Sequence, residues 1–143
     1  MPIKLVETDE EIAACYPVMV QLRPHLSEQA FLEQVRRQKG DGFLLAALEE
    51  GGQVRALAGF RVIEMLSRGR HVYVDDLVTD AHSRSAGHGR ALMDWLKNYA
   101  RAQGCARLHL DSGTQRTDAH RFYFRERLHI SAFNFHVALD GDS

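Results

Sequence analysis

One stretch, residues 71–103, constrains this chain more than any other. It opens with a β-rich run over residues 72–79 and continues into a short polar loop whose core, residues 84–89, is basic and rich in glycine. An amphipathic segment follows. Its apolar residues recur at relative positions 0, 3, 4 and 7, which is the spacing of one helix face: Leu92, Trp95, Leu96 and Tyr99. The stretch therefore predicts a strand, a glycine loop and a helix in that order.

A strand, glycine loop and helix in this order form a cradle for an anion. Glycines let consecutive backbone N–H groups converge on a phosphate, and the N-terminus of the helix adds roughly half a positive charge. Arg84 and Arg90 flank the loop and supply formal charge. We therefore expect a phosphorylated ligand to bind along Arg84 to Arg90.

The spacing of the loop disfavours the common nucleotide folds. The chain has no G-x-x-x-x-G-K-[ST] run, so it lacks the phosphate loop of the P-loop proteins. The dinucleotide fingerprint needs a small residue three positions after its second glycine, and Leu92 stands there. The pattern present is R-x-x-G-x-G, formed by Arg84, Gly87 and Gly89.

The composition of the chain further limits the class of protein that it can be. A chain of 143 residues has room for one domain with a real core. Its net charge of −1 argues against nucleic acid or a membrane surface as partner, and no apolar run approaches the ~20 residues of a membrane span. Cys15, Cys105 and the scattered histidines lack the spacing of a metal site. With no signal peptide at the start, we expect a reduced, cytoplasmic setting.

The remaining pattern predicts a mixed sheet with helices on both faces. A capping box at Thr8 and Glu11 begins one helix, and Ser27 begins a second. Gly59 lies inside a long apolar strand, which suggests a bulge or a close backbone approach. The predicted strands cover residues 3–7, 43–48, 54–66, 72–79, 107–111 and 130–139. Thr117 or Asp118 is expected to cap a short helix between the last two.

Two motifs together resemble the GNAT superfamily of acyl-CoA-dependent N-acetyltransferases. The first is R-x-x-G-x-G, and the second is A-x-x-F-Y at residues 119–123. The chain is similar in particular to small bacterial members, including the aminoalkylphosphonate acetyltransferases. The resemblance implies an α/β (α+β) fold in one domain, residues 1–143, with a mixed, mostly antiparallel sheet of six to seven strands and about four helices.

The resemblance also implies acetyl-CoA as the cofactor. In this family the loop holds the pyrophosphate, the preceding strand pairs with pantetheine where it splays from its neighbour, and a backbone N–H near Leu77 or Val78 polarises the thioester. A polar residue after the next strand often contacts pantetheine. The positions that match are Leu77, Val78, Thr79, Arg84, Ser85, Ala86, Gly87, His88, Gly89, Arg90 and Ser112.

Acetyl transfer to an amine needs a base and benefits from an acid. Asp75 and Asp76 are the base candidates, because Asp is costly in an apolar strand and family members place a carboxylate at one position or the other. Since adjacent strand residues face opposite sides, we expect only one of them to face the acceptor. By resemblance, Tyr123 protonates the leaving thiolate. Arg23, His25 and Arg116 hint at an anionic group on the substrate.

Several alternatives remain at this stage. The acceptor could be a small-molecule amine or a protein lysine, and a non-catalytic acyl-CoA-binding or regulatory module would share the loop but not depend on Asp75, Asp76 or Tyr123. The amine is expected to attack acetyl-CoA directly, without an acyl-enzyme, since Cys105 is a poor nucleophile candidate. Family habit allows a homodimer. The chain departs from the family pattern at Arg127-Leu128, where relatives commonly have Gly-Phe.

Overall fold

A computed structural model describes residues 2–84 and 86–141. It divides the chain into two compact units, one ending at Leu110 and the other beginning at Asp111. Each unit is described by itself below.

The first unit is built on a five-stranded sheet with helices on both faces. The strands follow one another in chain order; all neighbours are antiparallel except β4 and β5, which are parallel. A short 3-10 turn, Ala81–Ser83, follows β4. The elements are β1 (Ile3–Leu5), α1 (Asp9–Leu22), α2 (Glu28–Gly40), β2 (Leu44–Glu50), β3 (Gln53–Met65), β4 (Gly69–Thr79), α3 (His88–Ala102) and β5 (Arg107–Leu110).

Local hydrogen bonds start α1 and α2 where the sequence predicts. The Glu11 backbone N–H donates to Thr8 Oγ1 at 3.2 Å, and the Thr8 N–H donates to the Glu11 carboxylate at 3.0 Å, which completes the capping box. The Ala30 N–H donates to Ser27 Oγ at 3.1 Å. Both helices cover one face of the sheet, where Ile12, Phe31 and other apolar residues form a buried cluster.

Helix α3 covers the opposite face of the sheet through the predicted apolar stripe. Leu92 and Leu96 are buried. Trp95 and Tyr99 stack on each other with ring centroids 5.2 Å apart. Both rings also make T-shaped contacts with Phe60 from β3. The period of 3.6 residues thus identified both the helix and its buried face.

The second unit contains one helix, α4 (Thr117–Arg125). The predicted cap is wrong: Arg116 occupies the N-cap position, and no side chain caps the helix. After the helix, Arg127 has a φ of 71°. Apart from glycines, no other residue in the described part of the chain has a positive φ. Arg127 stands where relatives were expected to carry glycine, so the chain keeps the left-handed turn without the residue that favours it.

The predicted last strand, residues 130–139, is not formed. No strand is assigned to these residues, and the described sheet has five strands rather than six or seven. Alternating apolar residues indicate which face of a strand is to be buried, but a strand also needs a partner for its backbone groups.

No described helix of the chain has both the length and the apolar character needed to cross a membrane.

Candidate active site

A β-bulge in β4 places both candidate carboxylates on one face of the sheet. Gly59 pairs with Asp76 and Phe60 pairs with Val74, so Asp75 is the extra residue between them. Val74 and Leu77 both belong to the cluster under α3. Asp75 and Asp76 therefore both lie on the face of the sheet that α1 and α2 cover, although adjacent strand residues were expected to face opposite sides. Strict alternation fails because the bulge adds one residue to this strand.

Gly59 makes room for this arrangement. A Cβ atom on Gly59 would lie 2.6 Å from Asp76 Oδ2 and 2.6 Å from a ring carbon of Phe43. The predicted bulge or close approach at Gly59 is confirmed on both counts, because the register shift also falls between Gly59 and Phe60. Only glycine lets the Asp76 carboxylate and the Phe43 ring lie this close to β3.

We expect Gly59→Ala to destabilise the fold by about 1–3 kcal/mol, because the new methyl group must displace Asp76 or the Phe43 ring. It should also lower any activity that depends on the position of Asp76. Gly40→Ala, at the end of α2, is the matched control, since its Cβ would meet no atom within 4 Å. Urea denaturation of both variants checks this; equal midpoints would contradict the close approach.

Asp76 is a carboxylate held in a largely buried position. Its side chain is 15% exposed, and Arg23 donates to Oδ1 from Nε at 2.9 Å and from Nη2 at 2.8 Å. Burial raises the pKa of Asp76, and the Arg23 guanidinium opposes that rise only in part. Asp76 is thus more basic than an ordinary Asp, which is what a proton acceptor needs.

Asp75 has a different neighbour. Arg61 approaches its carboxylate with Nη2 at 2.9 Å and Nε at 3.0 Å from Oδ2. The Arg61 guanidinium also lies over the Phe43 ring, 5.8 Å from its centroid. Asp75 is therefore engaged as one half of a forked ion pair, while its backbone oxygen accepts from Arg23 at 3.1 Å.

A cavity of about 230 Å³ opens beside Asp76 within the first unit. Arg23 and His25, two of the three residues predicted to touch substrate, both line it, together with Phe43, which directly precedes β2. Its other lining residues are Met19, Leu26, Phe31, Gln34, Val35 and Gln38. The structure thus brings Asp76, Arg23 and His25 to one cavity.

Sequence reasoning missed the polar wall that α2 contributes. Gln34 and Gln38 lie four residues apart, so they share one helix face, and Gln34 Nε2 donates to Gln38 Oε1 at 2.8 Å. The sequence shows this spacing, but two glutamines four residues apart on a helix usually face solvent. Only the packing of α2 shows that this one borders a cavity.

The end of β4 extends past its parallel neighbour. Pairing of β4 with β5 stops at Val74 and Leu110, whereas β4 continues through residues 75–79 and remains paired with β3. Leu77 and Val78 point to opposite faces, since they belong to the two different apolar clusters. Within the first unit, residues 75–79 thus have a strand on one side only.

The glycine loop leads from this strand into α3. Arg84, Ala86 and Gly87 are exposed, and Gly87 has a φ of 82°, a conformation that favours glycine. Ser85 lies outside the described residues. The helix begins at His88, so the backbone N–H groups of its first turn have no partner within the helix.

The side chains at the start of α3 point in different directions. His88 is buried, with Nε2 3.5 Å from Glu50 Oε1, so its imidazole packs inward. Gly89 is half-buried and Arg90 is exposed. A ligand at this helix end would therefore meet the backbone of His88 and Gly89 and the charge of Arg90.

Gln21 fixes the segment that joins β4 to the loop, a contact that sequence reasoning missed. Its Nε2 donates to Asp80 Oδ1 at 3.0 Å, and its Oε1 accepts from the Ala81 N–H at 2.9 Å. The Gln21 hydrogen bond is the largest cause of the lowered pKa of Asp80. These bonds tie the end of α1 to the start of the loop across 59 residues of sequence.

The second unit holds the other predicted site residues. Tyr123 is half-buried on α4, with its ring edge-on to Phe122 at 5.7 Å. Burial raises the pKa of the Tyr123 hydroxyl, and the Arg116 guanidinium opposes this in part. The Ser112 hydroxyl is buried and has no hydrogen-bond partner among the described residues. Arg116 is exposed.

The residues described contain no group of three or more His, Cys, Asp or Glu side chains that could hold a metal ion. Both cysteines are free and buried. Burial raises the pKa of Cys15 to about 12, so its thiol is a poor nucleophile.

The comparisons with known proteins agree on one family. The acetyltransferase (GNAT) family model matches residues 5–129. The chain is 39% identical over 123 residues to the uncharacterized N-acetyltransferase YhdJ of Bacillus subtilis, covering 85% of this chain and 86% of that protein. It is 29% identical to the aminoalkylphosphonate N-acetyltransferase of Salmonella typhimurium, covering 92% of this chain and 88% of that protein.

Solved structures show the same fold. The aminoglycoside N-acetyltransferase AAC(6')-Iy, in complex with CoA, superposes with a TM-score of 0.83 over 96% of this chain and 93% of its own, at 12% identity. At that identity the likeness concerns the fold alone. The match to the family model and the relatives at 39% and 29% identity concern the family as well as the fold. The chain therefore belongs to the GNAT family of acetyltransferases, and it is an acyltransferase.

Proposed function

We propose that this chain, acting as one domain, transfers an acetyl group from acetyl-CoA to the primary amine of a small molecule by direct attack. The observation that carries the proposal is the buried Asp76 carboxylate in the wall of a cavity. It lies on the part of β4 that extends past β5 and leads into the glycine loop. Acceptor site and cofactor site would then meet along one strand.

The cofactor would lie along the end of β4 and across the start of α3. The side of residues 77–79 that pairs with no strand of the first unit would offer backbone groups to pantetheine, as an added strand would use them. The N–H groups of α3 and the guanidinium groups of Arg84 and Arg90 would hold the pyrophosphate. Ser112, a buried hydroxyl with no hydrogen-bond partner in the described part of the chain, fits a further contact to pantetheine.

Asp76 is the better candidate for the base. A primary amine with a Lys-like pKa of ~10.4 is mostly protonated near neutral pH and must lose a proton before it attacks. Asp76 lines the cavity and its pKa is raised by burial, whereas Asp75 is held by the fork of Arg61. Asp76 would take the proton, directly or through water, and a backbone N–H near Leu77 or Val78 would polarise the thioester carbonyl. Tyr123 would protonate the departing thiolate.

The cavity supports an acceptor that carries an anionic group as well as an amine. Asp76 offers a carboxylate to the ammonium, and Arg23 and His25 lie in the same wall. A cavity of about 230 Å³ suits a small molecule. The similarity to an aminoalkylphosphonate N-acetyltransferase supports this class, since such a substrate joins both groups. Free buried cysteines support a cytoplasmic setting.

Calorimetric titration with acetyl-CoA tests the cofactor assignment. We expect selective binding of acetyl-CoA over ATP and NAD, weakened at least about tenfold by Gly89→Glu, because a carboxylate in the first turn of α3 repels the pyrophosphate. Gly40→Glu adds the same charge at a position with no atom within 4 Å of its Cβ and should bind normally. Equal affinity of all three proteins would remove the loop from the site.

A panel of amines then separates enzyme from binding module. We expect CoA release with a small amine that carries a phosphonate or carboxylate, and less release with a lysine peptide. Normal acetyl-CoA binding without release for any amine would favour the non-catalytic module, which shares the loop but needs neither Asp76 nor Tyr123.

A further inference from the structure

The end of α1 is bonded to two separate parts of the chain around the end of β4. Arg23, the C-cap residue of α1, donates to the Asp76 carboxylate from Nε at 2.9 Å. Two residues earlier, Gln21 bonds to Asp80 and Ala81, which lead from β4 towards the glycine loop. The same helix end therefore contacts both the proposed base and the start of the segment proposed to hold the cofactor.

The two partners of Gln21 fix its side-chain amide in one orientation. Asp80 is only 7% exposed, and the hydrogen bond from Gln21 is the largest cause of its lowered pKa, so the carboxylate stays ionised and can only accept. The Ala81 N–H can only donate. Gln21 must therefore present Nε2 to Asp80 and Oε1 to Ala81. A glutamate at this position would lack the donor, and a methionine would lack both groups.

Asp80 joins the bonds of Gln21 to β3 and to the turn that precedes the loop. Its backbone N–H donates to the Arg55 oxygen at 2.7 Å, and its Oδ2 lies 3.4 Å from Arg55 Nη1. Its Oδ1 also accepts from the His82 N–H at 3.3 Å, which caps the 3-10 turn Ala81–Ser83. The position of this turn and the position of Gln21 thus depend on one shared carboxylate.

The last turn of α1 is held by polar bonds more than by apolar packing. None of residues 20–23 is buried, whereas Val18 and Met19 just before them are. The Arg23 N–H closes the helix by donating to the Met19 oxygen at 2.8 Å. A helix end with few buried apolar contacts opens locally at low cost. The bonds of Gln21 therefore help to decide how often Arg23 is in place beside Asp76.

We propose that Gln21 is a positioning residue that connects the cofactor loop to the acceptor cavity. A cofactor held along Arg84 to Arg90 orders the preceding turn, the turn holds the Gln21 amide, and the end of α1 keeps Arg23 on Asp76. The inference rests on the proposed function, since it requires CoA to bind at the loop. Bound cofactor favours the closed helix end because only that state makes the Gln21 bonds. The amine then meets a completed cavity.

Hydrogen exchange of residues 20–23, measured on the full-length protein with and without CoA, tests this connection and needs no amine. In the parent protein, saturating CoA should slow the exchange of these amides at least about fivefold, the lower end of typical coupling between two sites. Gln21 is exposed, so we expect Gln21→Met to fold. This variant should bind CoA without any change in the exchange of residues 20–23.

Gln29→Met is the matched control, because it removes a glutamine whose side chain bonds along α2, to Glu33 at 2.9 Å, and does not line the cavity. The control should respond to CoA as the parent does. Calorimetric titration of CoA into all three proteins shows whether the cofactor site is filled in each of them.

The two measurements together separate the possible failures. If the parent binds CoA and the exchange of residues 20–23 does not change, the inference is overturned while the cofactor assignment stands. If CoA still slows this exchange in Gln21→Met, the cofactor acts on the end of α1 by another route, and Gln21 is not the positioning residue. If the parent binds no CoA, the proposed function is wrong and the inference falls with it.

Discussion

Asp76→Asn is expected to lower kcat/KM for the amine by about 10²–10³, the range lost with a positioned general base. The amide keeps the shape of the carboxylate in the wall of the cavity but cannot accept the proton of the ammonium. Acetyl-CoA affinity should stay within about twofold, because Asp76 is not among the residues proposed to hold the cofactor. Steady-state kinetics with a responsive amine, together with a calorimetric titration, measure both quantities.

The stability of this variant gives an independent check on the environment of Asp76. Burial raises the pKa of Asp76 above its usual value of 3.8, so the folded state favours the protonated form. The cost of ionising Asp76 is absent below pH 3.8, grows as the pH rises through the folded pKa, and is complete above it. Asn carries no such cost, so the variant should be no less stable than the parent at neutral pH. A gain in stability together with lost activity is typical of a residue retained for function.

Asp75→Asn is the matched control, because it removes the adjacent carboxylate from the same face of the sheet. Asp75 is held by Arg61, and its loss should leave that guanidinium without its partner. Because Asp75 does not line the cavity, we expect a smaller loss of kcat/KM than for Asp76→Asn. If Asp75→Asn is the more inactive of the two, then Asp75 is the base and Asp76 the structural partner of Arg23.

The sequence could identify this pair of carboxylates but not their directions. Two aspartates in an apolar strand mark a site, because nothing in strand propensity explains them. Their orientation depends on the bulge at Asp75, which in turn depends on the close approach that Gly59 allows from a neighbouring strand. That contact joins positions 17 residues apart, and a period-two pattern cannot show it.

The elements themselves were predictable wherever local chemistry decides them. The capping box at Thr8 and the apolar stripe of α3 depend on residues a few positions apart, and both are found as predicted. The strand expected over residues 130–139 depends on pairing with residues far away in sequence, and no strand is assigned there among the described residues. The Gln21 contact to Asp80 likewise spans the fold and left no local signal.

Tyr123→Phe is expected to lower kcat by about 10²-fold, the lower end of what a positioned acid contributes, while the Kd for acetyl-CoA changes little. The ring remains, so the contact with Phe122 is kept, and only the proton donor to the thiolate is lost. Because burial raises the pKa of the Tyr123 hydroxyl, the tyrosine stays protonated beyond pH 10 and can act as an acid throughout the neutral range. Single-turnover kinetics at saturating amine separate this step from binding.

Tyr99→Phe is the control for the loss of a tyrosine hydroxyl, since Tyr99 lies on α3 and packs against Trp95 and Phe60 rather than in the proposed site. It should leave kcat within about twofold, a change worth less than ~0.5 kcal/mol in the barrier. The nature of the leaving group gives a second comparison. An acyl donor whose thiol is more acidic than that of CoA needs less protonation as it departs, so Tyr123→Phe should slow its reaction less. An equal loss with both donors would mean that Tyr123 positions the thioester and does not protonate the thiolate, and an unchanged rate with acetyl-CoA would remove Tyr123 from the mechanism.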